Sequence, residues 1–289
     1  MIQKKIDNET IWGGYFIPEK TKQGSPGGLK IVLFGSAIGG QLILESLIRF
    51  QEKNTGLISL VGMVTDDPVD PRAKISLKKR IWSNYTPAES EVLRDRIITT
   101  SLEAGIPCYS GKVKTGFFRE RYREWAPDVL IMNCFGQKLD AVLYDFPPDG
   151  AYNFHPSNLT CNIGIGAQPF HDIMRNGLDT SPIVIHQVTE IIDAGPVIGI
   201  SPEINLRLRE GSYPATILPL LYKINSITGW MSIELVLEIL RRKRISGKGI
   251  INHLDFKNLI PGDIRQMLMA PATNDLTEYY TLPLHPQIL

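Results

Sequence analysis

The feature that most restricts how this chain can fold is a set of short apolar runs, each too brief for a helix and each followed by turn residues. Lys30–Gly35, Leu57–Thr65 and Asp128–Cys134 (DVLIMNC) are of this kind. A strand that is apolar on both faces must be covered on both, which is the habit of parallel strands with helices above and below. Between these runs, apolar periodicity predicts helices from the glycines Gly39 and Gly40 to about Phe50, then over Pro87–Ala104, Lys114–Trp125 and Asp140–Phe146. A further helix is predicted over Gln168–Asn176, with Gly177 as its terminating residue. Ile106–Tyr109 reads as one more strand. The alternation defines an α/β chain with a mostly parallel sheet flanked by helices.

The two ends read differently. Residues 1–28 mix charges with Gly and Pro and close on the breaker run QGSPGG, so they are expected to form an irregular N-terminal extension packed through Trp12, Tyr15 and Phe16. Beyond Asn205, Tyr213–Arg244 reads as one long helical tract whose basic end, RRKR, complements the helix dipole. A tail of mixed polarity with several prolines follows from Ile245. The expected division is therefore an extension (1–28), an α/β domain (29–206) and a C-terminal helical region with its tail (207–289).

Lys and Arg number 31 against 30 Asp and Glu, and a net charge near +1 provides no general attraction for nucleic acid or acidic lipid. A small-molecule substrate fits that balance better. Cys108, Cys134 and Cys161 are widely spaced, with neither metal-ligand pairing nor a disulfide framework. No apolar run approaches the ~20 residues that span a bilayer, and the N-terminus lacks the apolar block of a signal peptide. A cytoplasmic protein with no membrane partner is expected; a homo-oligomer is left open.

Candidate chemistry concentrates in Gly150–Gly166, GAYNFHPSNLTCNIGIG. Asn153 and His155 are two apart, so on a strand they project from one face, an amide donor beside a titratable imidazole. Such a pair suits acyl-group chemistry, in which an attacked carbonyl becomes an oxyanion. The bland alternative is a turn amide and a structural histidine. The run Ser181–Ser201, SPIVIHQVTEIIDAGPVIGIS, reads as two extended segments broken by a loop with Asp193, Ala194 and Gly195, and a carboxylate there can reach the imidazole and favour its charged form.

Other motifs leave alternatives open. GSAIGG lacks the G-x-G-x-x-G spacing of a dinucleotide loop, so Gly35 and Ser36 either bind an anionic or polar part of an acceptor at a helix N-terminus or form a tight turn. Asp66 reads as a ribose contact or as a turn former before Pro68, and the basic stretch 69–87 as a phosphate contact or a solvated loop. Ser157 lies near His155, but no G-x-S-x-G elbow supports a serine hydrolase. His155, His171, His186 and Cys161 show no close zinc-ligand spacing, and no metal is expected.

NFHPS (Asn153–Ser157) together with VTEIIDAGPVI (Val188–Ile198) resembles the folate-dependent formyltransferases, which include phosphoribosylglycinamide, methionyl-tRNA and sugar N-formyltransferases. The resemblance extends over KIVLFGSAIGG, VGMVTDDP and APDVLIMNCFGQKL, roughly Leu29–Leu206. It implies the Rossmann-like formyltransferase fold, 10-formyltetrahydrofolate as formyl donor and a primary amine as acceptor. Asn153, His155 and Asp193 match the family's catalytic Asn, His and Asp. The segment Phe135, Gly136 and Gln137 and the loop with Ile192, Ala194 and Gly195 match the donor pocket, with Gly35, Ser36 and Ser157 assigned to the acceptor. Departures follow Ser157: Asn158, Leu159 and Thr160 stand where many relatives carry Leu-Leu-Pro or Tyr-Leu-Pro, which bears on the acceptor pocket. A small-molecule amine acceptor is favoured, since the tract after Asn205 lacks the alternating short strands of a nucleic-acid-binding barrel. The alternatives are a methionyl-tRNA formyltransferase, a formyltetrahydrofolate hydrolase and a non-catalytic folate-binding relative.

Overall fold

The computed structural model describes residues 3–6, 14–20, 27–67, 96–166, 168–212, 217–276, 279 and 285–288. Among these, nine strands join one sheet. The first two, β1 (Gln3–Ile6) and β2 (Gly14–Ile17), lie in the stretch expected to be irregular. They pair antiparallel with each other, and β2 goes on to pair with β5 (Cys108–Ser110), so this part of the N-terminus extends the sheet. Each of these strands is only four residues long, and the surrounding charges and glycines hide it in the sequence. Tyr15 and Phe16 are buried as expected, while Trp12 lies outside the described residues.

The centre of the sheet is parallel. β3 (Leu29–Gly35), β4 (Ile58–Thr65), β5, β6 (Val129–Asn133) and β7 (Ala151–His155) run side by side in the order β5-β4-β3-β6-β7. The winding reverses between β3 and β6, and such a reversal opens a crevice at the strands' carboxyl ends. Beyond β7, β9 (Val184–Gln187) and β10 (Val197–Ile200) add antiparallel, while β8 (Thr180–Ser181) and β11 (Ile204–Asn205) make a separate two-stranded pair.

Alternate residues of the central strands feed two cores. Ile31, Leu33, Val129, Ile131, Tyr152 and Phe154 face α1 (Ala37–Lys53), through Ile43, Leu47 and Phe50. Val32, Phe34, Val64 and Leu130 face the other way, with Phe118, Tyr122 and Trp125 of α3 (Gly116–Trp125), and α2 (Arg96–Glu103) precedes β5. An added Cβ at Gly35 would stand 2.7 Å from Gly40 Cα, so the glycines of GSAIGG let β3 turn closely into α1.

Short helices α4 (Ala141–Tyr144) and α5 (Pro169–Arg175) fall where expected, and Gly177 closes α5 with φ 68°. Of the helix predicted over Pro87–Ala104, only α2 lies among the described residues; the basic stretch 69–87 lies outside them. The single tract predicted over Tyr213–Arg244 is instead two helices, α6 (Leu218–Ser226) and α7 (Thr228–Ser246). At the break, Asn225 Nδ2, Ser226 Oγ and Thr228 Oγ1 each donate to a backbone carbonyl three or four residues back, which competes with continued helix. Both helices pack against α1. The basic end of α7 is engaged internally: Arg241 and Arg242 pair with Glu238, and Lys243 with Asp149 at 2.5 Å. The chain continues through α8 (Phe256–Leu259) and α9 (Gly262–Met269). No helix among the described residues is long and apolar enough to cross a membrane.

Candidate active site

A cleft of about 420 Å³ opens at the carboxyl ends of the central strands, within the range of small-molecule sites. Ala37–Gly39 at the start of α1, Cys134–Leu139 after β6, and Asn153–Pro156 at the end of β7 form three of its walls. Val188, Thr189 and Ile191–Asp193 from the β9–β10 loop form a fourth, and Ile217, Leu221 and Asn225 bring α6 to its rim.

Register places the polar groups. All of β7 is buried, with Tyr152 and Phe154 packed in one core, so Asn153 and His155 share the opposite face. Across the antiparallel pairing Asn153 lies opposite His186. The Asn153 amide Nδ2 is 3.0 Å from His186 Nε2 and donates weakly to Asp193 Oδ1 at 3.4 Å. His186 Nδ1 is 2.9 Å from the Gln187 carbonyl. Since a carbonyl only accepts, the proton sits on Nδ1 and leaves Nε2 to accept from Asn153. His186 is thus a fourth member of the group, unassigned in the sequence reading. Its signal was a polar pair, His186 and Gln187, in an otherwise apolar run, IVIHQV, directly across from the Asn-x-His strand.

The loop after β7 fastens the other two side chains. His155 Nε2 lies 2.6 Å from the Gly164 carbonyl, to which Ser157 Oγ also donates at 3.2 Å. The same carbonyl argument puts a proton on Nε2, so Nδ1, 3.7 Å from Asp193 Oδ1, is the nitrogen left to exchange a proton. Gly166 N–H donates to Asp193 Oδ2 at 2.8 Å, and His186 Nε2 is 3.5 Å from Oδ1. Burial pushes the Asp193 carboxyl up, but the His186 and His155 imidazoles and the Gly166 N–H outweigh it and hold the group below its usual range. The expectation of a charged imidazole is corrected here. Burial pulls His155 below the ordinary histidine value, and Asp193 and Gly164 only partly restore it, so the neutral form prevails at neutral pH.

The remaining expected residues divide. Phe135, Gly136 and Gln137 line the cleft, as does Ile192, which is half exposed. Phe135 also stacks edge-on against Phe34 with centroids 5.2 Å apart, so its packing role and its place in the wall coexist. The Gln137 amide accepts from Val113 N–H and donates to the Gly111 carbonyl. Ala194 and Gly195 lie outside the lining; Gly195 is buried where a Cβ would stand 1.8 Å from the Gln187 carbonyl oxygen. Gly35, Ser36 and Ser157 lie behind the wall, and the two serine hydroxyls are engaged with Asp66 and the Gly164 carbonyl. Asn225, beyond the stretch the sequence reading tied to the site, reaches the rim and accepts from Asn133 Nδ2 at 3.2 Å. Among the described residues no three His, Cys, Asp or Glu side chains are grouped so as to hold a metal ion.

This α/β fold, with Asn153, His155 and Asp193 gathered at the carboxyl end of β7, is that of a formyl transferase. Residues 30–203, more than half of the chain, match the family described as Formyl transferase, and the chain belongs to that family. Among characterised proteins it is similar to the methionyl-tRNA formyltransferase of Thermotoga neapolitana, 31% identical over 170 residues, which are 58% of this chain and 48% of that one. That of Kosmotoga olearia is 34% identical over 96 residues, 33% of this chain and 30% of the relative. That of Prochlorococcus marinus is 24% identical over 239 residues, 82% of this chain and 61% of the relative. The fold is similar to the crystal structure of phosphoribosylglycinamide formyltransferase from Anaplasma phagocytophilum, with TM-score 0.53 and 16% identity over 75% of this chain and 89% of the other. Glycinamide ribonucleotide transformylase 1 from Symbiobacterium toebii matches equally well, with TM-score 0.53 and 14% identity over 76% and 91% of the two chains.

Proposed function

We propose that the protein transfers a formyl group from 10-formyltetrahydrofolate to the primary amine of a small-molecule acceptor. The observation that carries this reading is the convergence of Asn153, His155, His186 and Asp193 in a largely apolar cleft in a chain of this family. The apolar wall of Phe135, Val188, Ile191 and Ile192 suits the flat ring of a reduced folate.

In this mechanism the amine nitrogen forms a bond to the formyl carbon, and the carbonyl electron pair moves onto oxygen. Asn153 Nδ2 exchanges its weak contact with Asp193 for one with that oxyanion, while His186 keeps the amide oriented. The attacking nitrogen loses one proton, which His155 Nδ1 accepts, Asp193 stabilising the imidazolium. Collapse breaks the bond from the formyl carbon to N10 of the folate, and the proton goes to that nitrogen. Protons balance: one leaves the amine and one joins the departing tetrahydrofolate.

The small acceptor is supported by the near-neutral charge and by α6 and α7, which pack on α1 as part of the same body. The methionyl-tRNA reading has the names of the sequence relatives in its favour. A product-detected screen of primary amines and methionyl-tRNA with 10-formyltetrahydrofolate separates them. The expected result is a formylated small amine; formyl-methionyl-tRNA alone, or donor hydrolysis with no formylated product, would contradict the proposal.

A further inference from the structure

The segment that follows α7 reaches the rear of the site. Where β7 pairs with β9, Tyr152 stands opposite Gln187, and the next pair along is Asn153 and His186. Side chains alternate across a sheet, so the two pairs lie back to back: Asn153 and His186 face the cleft, while Tyr152 and Gln187 face the core against residues 249–255. There Ile251, fully buried, has both backbone groups satisfied by that rear pair. Its N–H donates to Tyr152 Oη at 2.9 Å, and its carbonyl accepts from Gln187 Nε2 at 3.1 Å. The segment is anchored on either side of Ile251. Gly249 N–H donates to the buried Asp149 carboxylate at 2.8 Å, and Leu254 N–H donates to the Ile198 carbonyl of β10 at 2.6 Å. Tyr152 Oη is fixed in turn by donating to the Asp149 carbonyl at 2.9 Å.

Gln187 connects this strap to the polar group in the cleft. Its N–H donates to the Pro196 carbonyl at 2.9 Å, its side chain is held by Ile251, and its own carbonyl accepts from His186 Nδ1 at 2.9 Å. That last bond keeps the His186 proton on Nδ1 and leaves Nε2 to accept from Asn153. We propose that Gln187 is a positioning residue: held by Ile251 of the C-terminal strap, it presents the carbonyl that fixes the His186 tautomer and, through His186, the orientation of the Asn153 amide. With the tautomer reversed, an Nε2–H would face the Asn153 amide, which would then turn its oxygen to His186 in place of Nδ2. Nδ2 is the donor assigned to the oxyanion, so the wrong tautomer removes it from its place. The consequence for transfer rests on the formyl-transfer reading; the tautomer itself does not.

Heteronuclear NMR of the His186 ring nitrogens, with the ring neutral, tests this alongside formyl-transfer kinetics in wild type and Gln187→Met. Methionine keeps the length of the side chain and removes the donor to Ile251. Tyr152→Phe, which frees the Ile251 N–H instead, is a second variant that decides the matter should the first not fold. Wild type is expected to carry the His186 proton on Nδ1. Each variant is expected to show a mixture of tautomers and a kcat lowered at least about tenfold, with donor affinity unchanged. A merely structural role would lower the unfolding temperature and move neither the tautomer nor kcat. A wild-type proton on Nε2, folded variants that keep the wild-type tautomer, or mixed tautomers with wild-type kcat would each overturn the proposal. The ring is read without substrate, so absence of transfer in wild type counts against the formyl-transfer reading, and an unmoved tautomer counts against this one.

Discussion

Asp193 holds its position through backbone geometry as well as through its neighbours. It has φ 55°, the left-handed region that Asp visits more readily than most residues with a Cβ, and the Gly166 N–H fixes one carboxylate oxygen. The second oxygen is left among Asn153, His155 and His186, where it biases proton uptake. The sign of that bias can be measured. His155 has a folded pKa below the usual value and Asp193 raises it, so if the neutral imidazole is the working form, turnover should fall as the medium is acidified through that pKa. Asp193→Asn removes the partner of the imidazolium; maximal turnover should drop, and the acidic limb should move to lower pH. The check is a pH-rate profile of both proteins, and a limb that moves to higher pH in the variant would contradict the assignment.

At the scale of elements, the site is a junction of strand ends and loops, one of them held by a close backbone approach. The β9–β10 loop returns so tightly that a Cβ at Gly195 would stand 1.8 Å from the Gln187 carbonyl oxygen. Gly195→Ala should therefore cost about 1–3 kcal/mol in urea unfolding, typical of forcing an atom into a packed position. It should lower turnover disproportionately, because Asp193 is carried on the same turn. An enzyme with unchanged stability and turnover would show that the loop is looser than its geometry implies. Much of this level was legible in the sequence: DVLIMNC, AYNFH and the DAG turn carry local signals of buried strand, two-residue spacing and sharp bend. What was not legible depended on pairing. His186 becomes relevant only once β9 is registered antiparallel against β7, and the N-terminal strands only once β2 finds β5. The break at Ile227 was hidden because its cause is side-chain bonding to the backbone within an otherwise apolar, helical pattern.

For the whole molecule, the cleft draws on elements spread from the start of α1 to Asn225 of α6. The parallel core provides strand ends, the antiparallel additions beyond β7 provide His186 and Asp193, and the C-terminal helices cover α1 while closing the rim. The charge of His155 was misjudged from sequence because burial outweighs a carboxylate whose distance could not be read before the chain was folded. Asn153 carries the central claim, since its amide does not titrate and the role proposed for it is to donate to the oxyanion. The most direct measurement is the single-turnover rate of formyl transfer from saturating 10-formyltetrahydrofolate in wild type and Asn153→Ala, with donor affinity measured alongside. The account predicts a loss of roughly a hundredfold or more at every pH, with donor binding retained. Near-wild-type transfer in a folded Asn153→Ala protein would contradict it.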